Sequence, residues 1–375
     1  MSYTFMYRRI PTIHKYKVSI ISKMTESEAE DIDSQMRYVR VLQPLLNESI
    51  LGDKVSWLQS LQVYERKVPS LLQEKDYVEA RCVGMDAASA FVVEVLDPQP
   101  NDQVLDLCCA PGMKLLAIAE LMKKQGVIVG VDISEARLRT TCSVFRKYRV
   151  CFRENDEINP ISNWDVSLFQ CDGRAFNPAS SIGRGLLTWS NNLNELFIGG
   201  KPLKIPRKRA GKSLRKKLQH ASFEENERKT LPKLFDRVLV DAECTTDGRS
   251  HIVSEEELQY KKKKWLGEGG EASLEEQKKV EKLQLELLTN GFSLLKHGGH
   301  LVYSTCSLTE GQNEGVLLKF LENEPTAKLV SPLPVSEPPA FVIPSEPLNG
   351  LGWRLSPSHS KTSGMFVSKI TKSTM

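Results

Sequence analysis

From Val104 onward, short unbroken apolar runs alternate with longer stretches in which apolar residues recur at helical spacing. Val104-Leu105-Asp106-Leu107 reads as a buried strand, followed by a Pro-Gly loop and the helical pattern Leu115 to Met122. Val127 to Val131 is a second strand ending at Asp132, and Ser134, at an N-cap position, opens a helix through Leu138 to Tyr148. Val166 to Cys171, ending at Asp172, is a third strand, and Val238 to Val240, ending at Asp241, is a fourth. Ser273 with Glu276 makes a capping box for a helix through Val280, Leu283, Leu287 and Leu294, stopped by His297-Gly298-Gly299. Leu301-Val302-Tyr303 is a fifth strand, ending at Thr305-Cys306. Strands that are apolar throughout are buried on both faces, so the pattern predicts an α/β fold with a mostly parallel sheet covered by helices.

The flanks behave differently. Residues 35–100 carry apolar residues at helical spacing (Val39, Leu42, Leu45 and Leu46, then Trp57, Leu58 and Leu61) and are expected to form a small, mainly helical N-terminal subdomain. Pro98, Pro100 and Asp102 mark the turn into the α/β domain of residues 101–375. Residues 1–34 read as a flexible tail that ends in the acidic stretch Glu26 to Asp33. Between about residues 180 and 234 the alternation lapses into Gly, Ser, Asn and Lys, the mark of an insertion that is at least partly disordered.

Composition adds exclusions. A chain that is 40% hydrophobic and 26% charged, with aromatic and aliphatic residues spread along it, is neither a collagen, a coiled coil nor wholly disordered. The longest apolar runs, such as Ala90 to Val93, fall short of the ~20 residues that span a bilayer, so no membrane partner is expected. The net charge of +4 says less than its distribution. Lys201 to Lys217 holds nine basic residues and no acid, and Lys261 to Lys264 is a second run. Such density suits a polyanion partner, with a solvated face or a nuclear-import signal as the alternative. The eight cysteines form no CxxC pair, which argues against a disulfide scaffold or a bound metal and for a reducing intracellular compartment. The first 25 residues lack Asp and Glu, as a transit peptide would, or as a basic tail upstream of a second start at Met24 would. Nucleus, cytoplasm and mitochondrion all fit, and a monomer is the expected state.

In open parallel sheets ligands bind outside the carboxyl ends of the strands. Asp106, Asp132, Asp172, Asp241 and Cys306 all lie at or just past such ends. Asp132 follows Gly112 by 20 residues, the spacing of a glycine turn and an acid that holds a ribose hydroxyl. The turn Cys108-Cys109-Ala110-Pro111-Gly112-Met113-Lys114 matches neither GxGxxG nor GxxxxGK[ST], which disfavours a pyrophosphate or triphosphate and points to S-adenosylmethionine. Strand-end acids can simply cap helices, but three in succession beside a Pro-Gly loop favour a cofactor site. Cys244 and Cys306, 62 residues apart, each follow a strand on the same sheet edge and could face one pocket. A buried cysteine is usually an inert small hydrophobe; in a strand-end loop a thiol can be activated as a nucleophile.

VLDLCCAPGMK, VDISEARL, FQCDGR, RVLVDAECTTDG and LVYSTCSLTEGQNEGVL resemble, in order, the motifs of the Sun (RsmB-like, NOL1/NOP2/Sun) family of RNA cytosine carbon-5 methyltransferases. RLSPSHSKTSGMFVSKI is similar to that family's closing strands, so the likeness runs from about Gly84 to Ile370, interrupted by the basic insertion. The resemblance implies a Rossmann-like class I S-adenosylmethionine-dependent methyltransferase acting on rRNA or tRNA. Its base must be single-stranded or extruded to be reached. By the same resemblance, Cys306 is the nucleophile that adds to carbon-6 of cytosine, and Cys244 assists product release. Asp241 would hold the amino edge of the base and border the cofactor, with Lys114 supporting the pocket. The loop Cys108, Cys109, Ala110, Pro111, Gly112, Met113 and Lys114 would wrap the methionine part, Asp132 the ribose, and Asp172 the adenine side. Two motifs depart from the family pattern. Glu243 replaces a Pro and sets a carboxylate beside Cys244, and Met113 and Leu115 replace the Gly and Thr of Pro-Gly-Gly-Lys-Thr, which is expected to alter cofactor affinity. These departures motivate an alternative, a catalytically weak relative acting as an RNA-binding scaffold. A small-molecule or protein methyltransferase would not need the cysteine pair, and a DNA cytosine methyltransferase would resemble a Pro-Cys nucleophile that this chain lacks.

Overall fold

The computed structural model describes residues 37–148, 164–179, 187–190, 197–198, 201–202, 231–245, 271–335 and 337–373. The N-terminal tail, the greater part of the basic run Lys201 to Lys217, and Lys261 to Lys264 lie outside the described residues.

The N-terminal part departs from its expected helical character. β1 (Tyr38–Val41), β2 (Leu51–Lys54), β3 (Val63–Arg66) and β4 (Cys82–Gly84) pair antiparallel in the order β2-β3-β1-β4. Tyr-Val-Arg-Val and Val-Tyr-Glu-Arg are short, β-branched and aromatic, and that preference outweighs the helical spacing of the leucines between them. Apart from a single 3-10 turn at Glu48–Ile50, helix is confined to α1 (Lys75–Val78) and α2 (Ala87–Leu96). α2 starts where the Asp86 carboxylate accepts the Ala88 amide at 2.8 Å. It is apolar almost all round because it is buried almost all round. Its one acid, Glu94, accepts the amides of Gln59, Ser60 and Leu61 at 2.7–2.9 Å, which ties the N-terminal loops to the rest of the molecule.

Next come β5 (Gln103–Asp106), α3 (Met113–Leu121), β6 (Gly126–Asp132), α4 (Glu135–Lys147) and β7 (Trp164–Gln170). Short strands β8 (Leu187–Ser190), β9 (Phe197–Ile198) and β10 (Lys201–Pro202) fall within the expected insertion; β8 pairs with β7, and β9 with β10. The chain continues through β11 (Phe235–Asp241), α5 (Glu271–Ser293), β12 (Leu295–Thr305) and α6 (Glu314–Asn323). β12 begins directly after α5, so His297-Gly298-Gly299 lies inside the strand, in an irregular stretch of the β11 pairing. β13 (Ala327–Val330), β14 (Val342–Pro344), β15 (Gly352–Leu355), α7 (Pro357–Ser360) and β16 (Met365–Lys372) close the fold.

The ten-stranded sheet runs β14-β15-β16-β12-β11-β5-β6-β7-β8, with β13 also on β16. β12, β11, β5, β6 and β7 are mutually parallel, and β16 is antiparallel to β12. This is a Rossmann-like order. The unbroken apolar runs follow from its two covered faces. Val104, Ile128, Leu239 and Val302 join the layer beneath α2, α3 and α4, while their neighbours Leu105, Val129, Val240 and Tyr303 join the layer beneath α5 and α6. Strand order reverses between β5 and β11, so the crevice for a ligand opens at the carboxyl ends of these two strands.

Candidate active site

The register of two parallel strands brings the cysteines together. Asp241, the last residue of β11, is paired with Ser304 of β12, and the Ala242 amide still donates to the Ser304 carbonyl at 3.0 Å. Cys244 lies three residues beyond the first of these positions and Cys306 two beyond the second, and their sulfurs stand 3.0 Å apart. Neither is in a disulfide.

Asp241 carries a partner on each oxygen. Ser304 Oγ donates to Oδ1 at 2.8 Å and Lys114 Nζ to Oδ2 at 2.7 Å, with Ser89 Oγ 3.3 Å from the same ammonium. Burial alone would depress the Lys114 ammonium. The Asp241 carboxylate outweighs it, with smaller help from Asp106 and Cys306, and holds Lys114 above its usual range. Cys306 thus lies within electrostatic reach of the Lys114 ammonium. Asp106, 1% exposed beneath this pair, is pushed up to about 7, first by burial and then by the repulsion of Asp241 and Asp132, against the Cys108 amide and Lys114.

The expected cofactor residues line the adjoining strand ends. Gly112 stands at the N-terminus of α3 with φ +98°, and a Cβ there would lie 2.7 Å from Thr141 Cγ2, so glycine is required twice over. Met113 is the first helical residue after it, so the departure from glycine at this position costs no backbone strain. The peptide between Ala110 and Pro111 is cis. The Asp132 carboxylate, 3% exposed, accepts the Ala110 amide at 3.2 Å on Oδ2 and the Ser134 amide at 2.9 Å on Oδ1. Arg137 adds an ion pair at 3.4 Å and donates to the Ala110 carbonyl at 2.6 Å. Asp172 follows β7 but is clasped by Arg174, whose backbone and guanidinium donate to both carboxylate oxygens. Those bonds hold the Asp172 carboxyl below its usual range. Cys108 and Cys109 are pushed well above the usual thiol range by burial, so in this loop they act as packing residues. Glu243 is exposed and presents only its carbonyl inward, to Gln284 Nε2 at 2.9 Å.

Sequence reasoning missed the side chains that hold these loops: Gln284, Ser304, Gln312 and Asn313, all fully or almost fully buried. Ser304 could have been found, since it adjoins the Thr305-Cys306 dipeptide; the amides carry no local pattern. Among the described residues, no cluster of three or more His, Cys, Asp or Glu could hold a metal ion, and no helix is long and apolar enough to cross a membrane.

A profile described as 16S rRNA methyltransferase RsmB/F matches residues 93–156 and 208–371, more than half of the chain. The chain belongs to the RsmB/F methyltransferase family. Among curated relatives of this family member, the 25S rRNA (cytosine-C(5))-methyltransferase nop2 of Schizosaccharomyces pombe is 26% identical over 77% of the chain and 36% of its own length. The 5-cytosine rRNA methyltransferase NSUN4 of Bos taurus is 30% identical over 65% of the chain and 47% of its own length. Ribosomal RNA small subunit methyltransferase B of Yersinia pseudotuberculosis is 24% identical over 86% and 52%. The chain thus spans about a third to a half of the length of these relatives. A methyltransferase homolog protein from Pyrococcus horikoshii shares the fold with a TM-score of 0.56 at 23% identity, covering 97% of this chain and 99% of that one. NSun6 from the same organism does so at 0.52 and 23%, covering 84% and 60%.

Proposed function

We propose that this RsmB/F family member transfers a methyl group from S-adenosylmethionine to carbon-5 of a cytosine in rRNA or tRNA through a covalent adduct on Cys306. The 3.0 Å approach of Cys244 and Cys306 beside the Lys114–Asp241 pair carries this reading, because a methyltransferase attacking a ready nucleophile has no use for two sulfurs at one point. The relatives named for cytosine carbon-5 methylation of rRNA support the substrate class.

The cofactor site passes a test of donor chemistry. The two oxygens of an ionised carboxylate offer about four lone-pair sites. Backbone amides take one on each oxygen of Asp132, and Arg137, half-exposed, pairs with one more, which leaves room for a ribose hydroxyl. Asp172 has less free capacity because Arg174 fills both its oxygens. Asp132 and the Cys109 to Lys114 turn would therefore hold S-adenosylmethionine, which supplies an electrophilic methyl group.

Cytosine carbon-5 is too weak a nucleophile to attack unaided. The Cys306 thiolate adds to carbon-6, and the new C–S bond sends an electron pair toward carbon-5, which would then bond the methyl carbon of bound S-adenosylmethionine as the methyl–sulfur bond breaks, its electron pair staying on the sulfur of the departing S-adenosylhomocysteine. Asp241, already aimed by Ser304 and Lys114, accepts a hydrogen bond from the exocyclic amino group of the base. The carbon-5 proton then leaves to a base, the electron pair re-forms the ring double bond, and the C–S bond breaks to return Cys306. Cys244 is the group within reach of that last step.

Incubation with methyl-labelled S-adenosylmethionine and total cellular RNA tests the reading. Cys306→Ala should abolish label transfer, and Cys244→Ala should leave a denaturant-resistant enzyme–RNA complex. Transfer at the normal rate by Cys306→Ala would overturn the mechanism. RNA binding by the unaltered protein without any transfer would favour the scaffold alternative.

A further inference from the structure

We propose that two consecutive buried residues, Gln312 and Asn313, are positioning residues that set the approach of Cys244 to Cys306. Asn313 grips the chain on both sides of Cys306, while Gln312 grips the residue after Cys244 and Gln284, bonded to Gln312, the residue before it.

The two cysteines come from different loops, and each strand ends before its cysteine. Sheet pairing brings the loops together as far as Ala242 and Ser304 and no further. Beyond that point side chains join the loops: Thr245 Oγ1 lies 3.4 Å from Ser307 Oγ, and buried amides hold the residues around each sulfur. Gln312 closes a two-bond ring on the residue after Cys244: its Oε1 accepts the Thr245 amide at 3.1 Å, and its Nε2 donates to Thr245 Oγ1 at 2.9 Å. Gln284 Nε2 donates to the carbonyl of Glu243, the residue before Cys244, at 2.9 Å and to Gln312 Oε1 at 3.3 Å. Asn313 treats the other sulfur in the same way. Its Oδ1 accepts Thr305 Oγ1 at 2.6 Å, from the residue before Cys306, and its Nδ2 donates to the carbonyl of Ser307, the residue after it, at 3.0 Å.

The clamp is itself anchored. Tyr303, in the buried part of β12, donates its hydroxyl to the Gln312 carbonyl at 2.6 Å, and Gln312 and Asn313 are 1% and 0% exposed. Neighbouring backbone positions in one rigid dipeptide thus carry one grip for each loop. A buried amide bonded at both ends is costly to break, because each freed partner keeps its desolvation penalty. Sulfurs held this way spend far more time in mutual reach than two loop tips would unaided. The value of that reach to the enzyme rests on the release role proposed above for Cys244; the clamp itself is testable without it.

The first measurement needs neither RNA nor cofactor. Diamide, a diazene, oxidises two thiols to a disulfide and is itself reduced to the hydrazine, taking up both hydrogens. The rate at which the Cys244–Cys306 linked peptide forms, read by mass spectrometry on the full chain, reports how often the sulfurs meet. Gln312→Ala, which leaves the 3.4 Å contact between the Thr245 and Ser307 hydroxyls in place, should slow this linkage at least tenfold, and Thr245→Val, which removes the hydroxyl that accepts from Gln312 together with that contact, should slow it several-fold. Asn290→Ala removes a comparable amide, one that donates to the Gly173 and Phe176 carbonyls outside both loops, and should leave the rate unchanged. Linkage at the unaltered rate in a folded Gln312→Ala or Thr245→Val protein would overturn the clamp. If Gln312→Ala does not fold, Thr245→Val decides alone. The second measurement uses total cellular RNA and S-adenosylmethionine. Gln312→Ala should accumulate the denaturant-resistant complex expected of Cys244→Ala, with KM for RNA unchanged and kcat reduced. Turnover at the normal kcat would overturn the positioning role. Failure in the diamide assay leaves the transferase reading intact, because that reading is tested by label transfer to RNA and its loss in Cys306→Ala.

Discussion

Asp106→Asn isolates a buried charge that the fold holds at a cost. The carboxyl is almost wholly buried, accepts one backbone bond, from Cys108, and lies among the carboxylates of Asp132 and Asp241, with the Lys114 ammonium offsetting part of their repulsion. Its pKa stands raised to about 7, by burial first and by the two carboxylates second. A carboxyl whose folded-state pKa is raised binds its proton more tightly when folded, so folding loses stability as pH climbs from the unfolded pKa of 3.8 to about 7. Below that window both states are protonated, and above it both are ionised and the loss is complete. From pH 5 to pH 8 the change covers two pH units at about 1.4 kcal/mol each, so the penalty grows by about 3 kcal/mol. Asparagine keeps the shape and the acceptor for Cys108 but cannot ionise. Urea unfolding of both proteins across this range should therefore show the unaltered protein losing about 3 kcal/mol relative to Asp106→Asn between pH 5 and pH 8. A stability gap that stays flat over this range would refute the argument that Asp106 ionises at a cost within its site.

Three further outcomes follow from the same neighbourhood and from the charge distribution. Lys114→Met leaves Asp241 and Asp106 without their ammonium and should cost about 3 kcal/mol, the lower end for breaking a buried pair because Asp241 is one-quarter exposed; urea unfolding should also show Lys114→Met/Asp241→Asn recovering part of that loss. Gly112→Ala forces a side chain into positive φ against Thr141 and should cost about 2 kcal/mol, with a lowered Tm by calorimetry and weakened cofactor binding. Replacing the basic residues from Lys204 to Lys217 by Ser should weaken RNA binding and lower the slope of log Kd against log salt by about 1 for each phosphate that is no longer neutralised.

The parallel sheet was legible because burial on both faces leaves an unmistakable mark: Val238-Leu239-Val240 sends alternate residues into two different layers, and both must be apolar. The strand-end placement of Asp106, Asp132, Asp241 and Cys306 followed from that alone. Residues 37–84 mislead because Val39, Leu42, Leu45 and Leu46 satisfy a helical period by chance, while four-residue strands are too short for alternation to outvote it. The sulfur contact itself depends on the pairing of Asp241 with Ser304, which no local pattern encodes. Gln312 and Asn313 were invisible for a related reason: they act on loops that lie 67 and 6–8 residues away in the chain, and only the fold decides which carbonyls and hydroxyls they meet.

The two departures from the family pattern bear on whether this chain is an enzyme or a scaffold. Met113 would matter if the position needed a left-handed backbone, but positive φ falls on Gly112, and Met113 simply begins α3. Glu243 would matter if its carboxylate faced the sulfurs, but the residue is exposed and turns its carbonyl to Gln284, an acceptor that any residue supplies, proline included. A scaffold is under no requirement to keep a salt-bridged lysine with its ammonium on Asp241, nor to hold two thiols 3.0 Å apart between loops bonded by buried amides. Both features carry a cost in desolvation and chain order. Both features therefore support the covalent mechanism proposed above over the scaffold alternative.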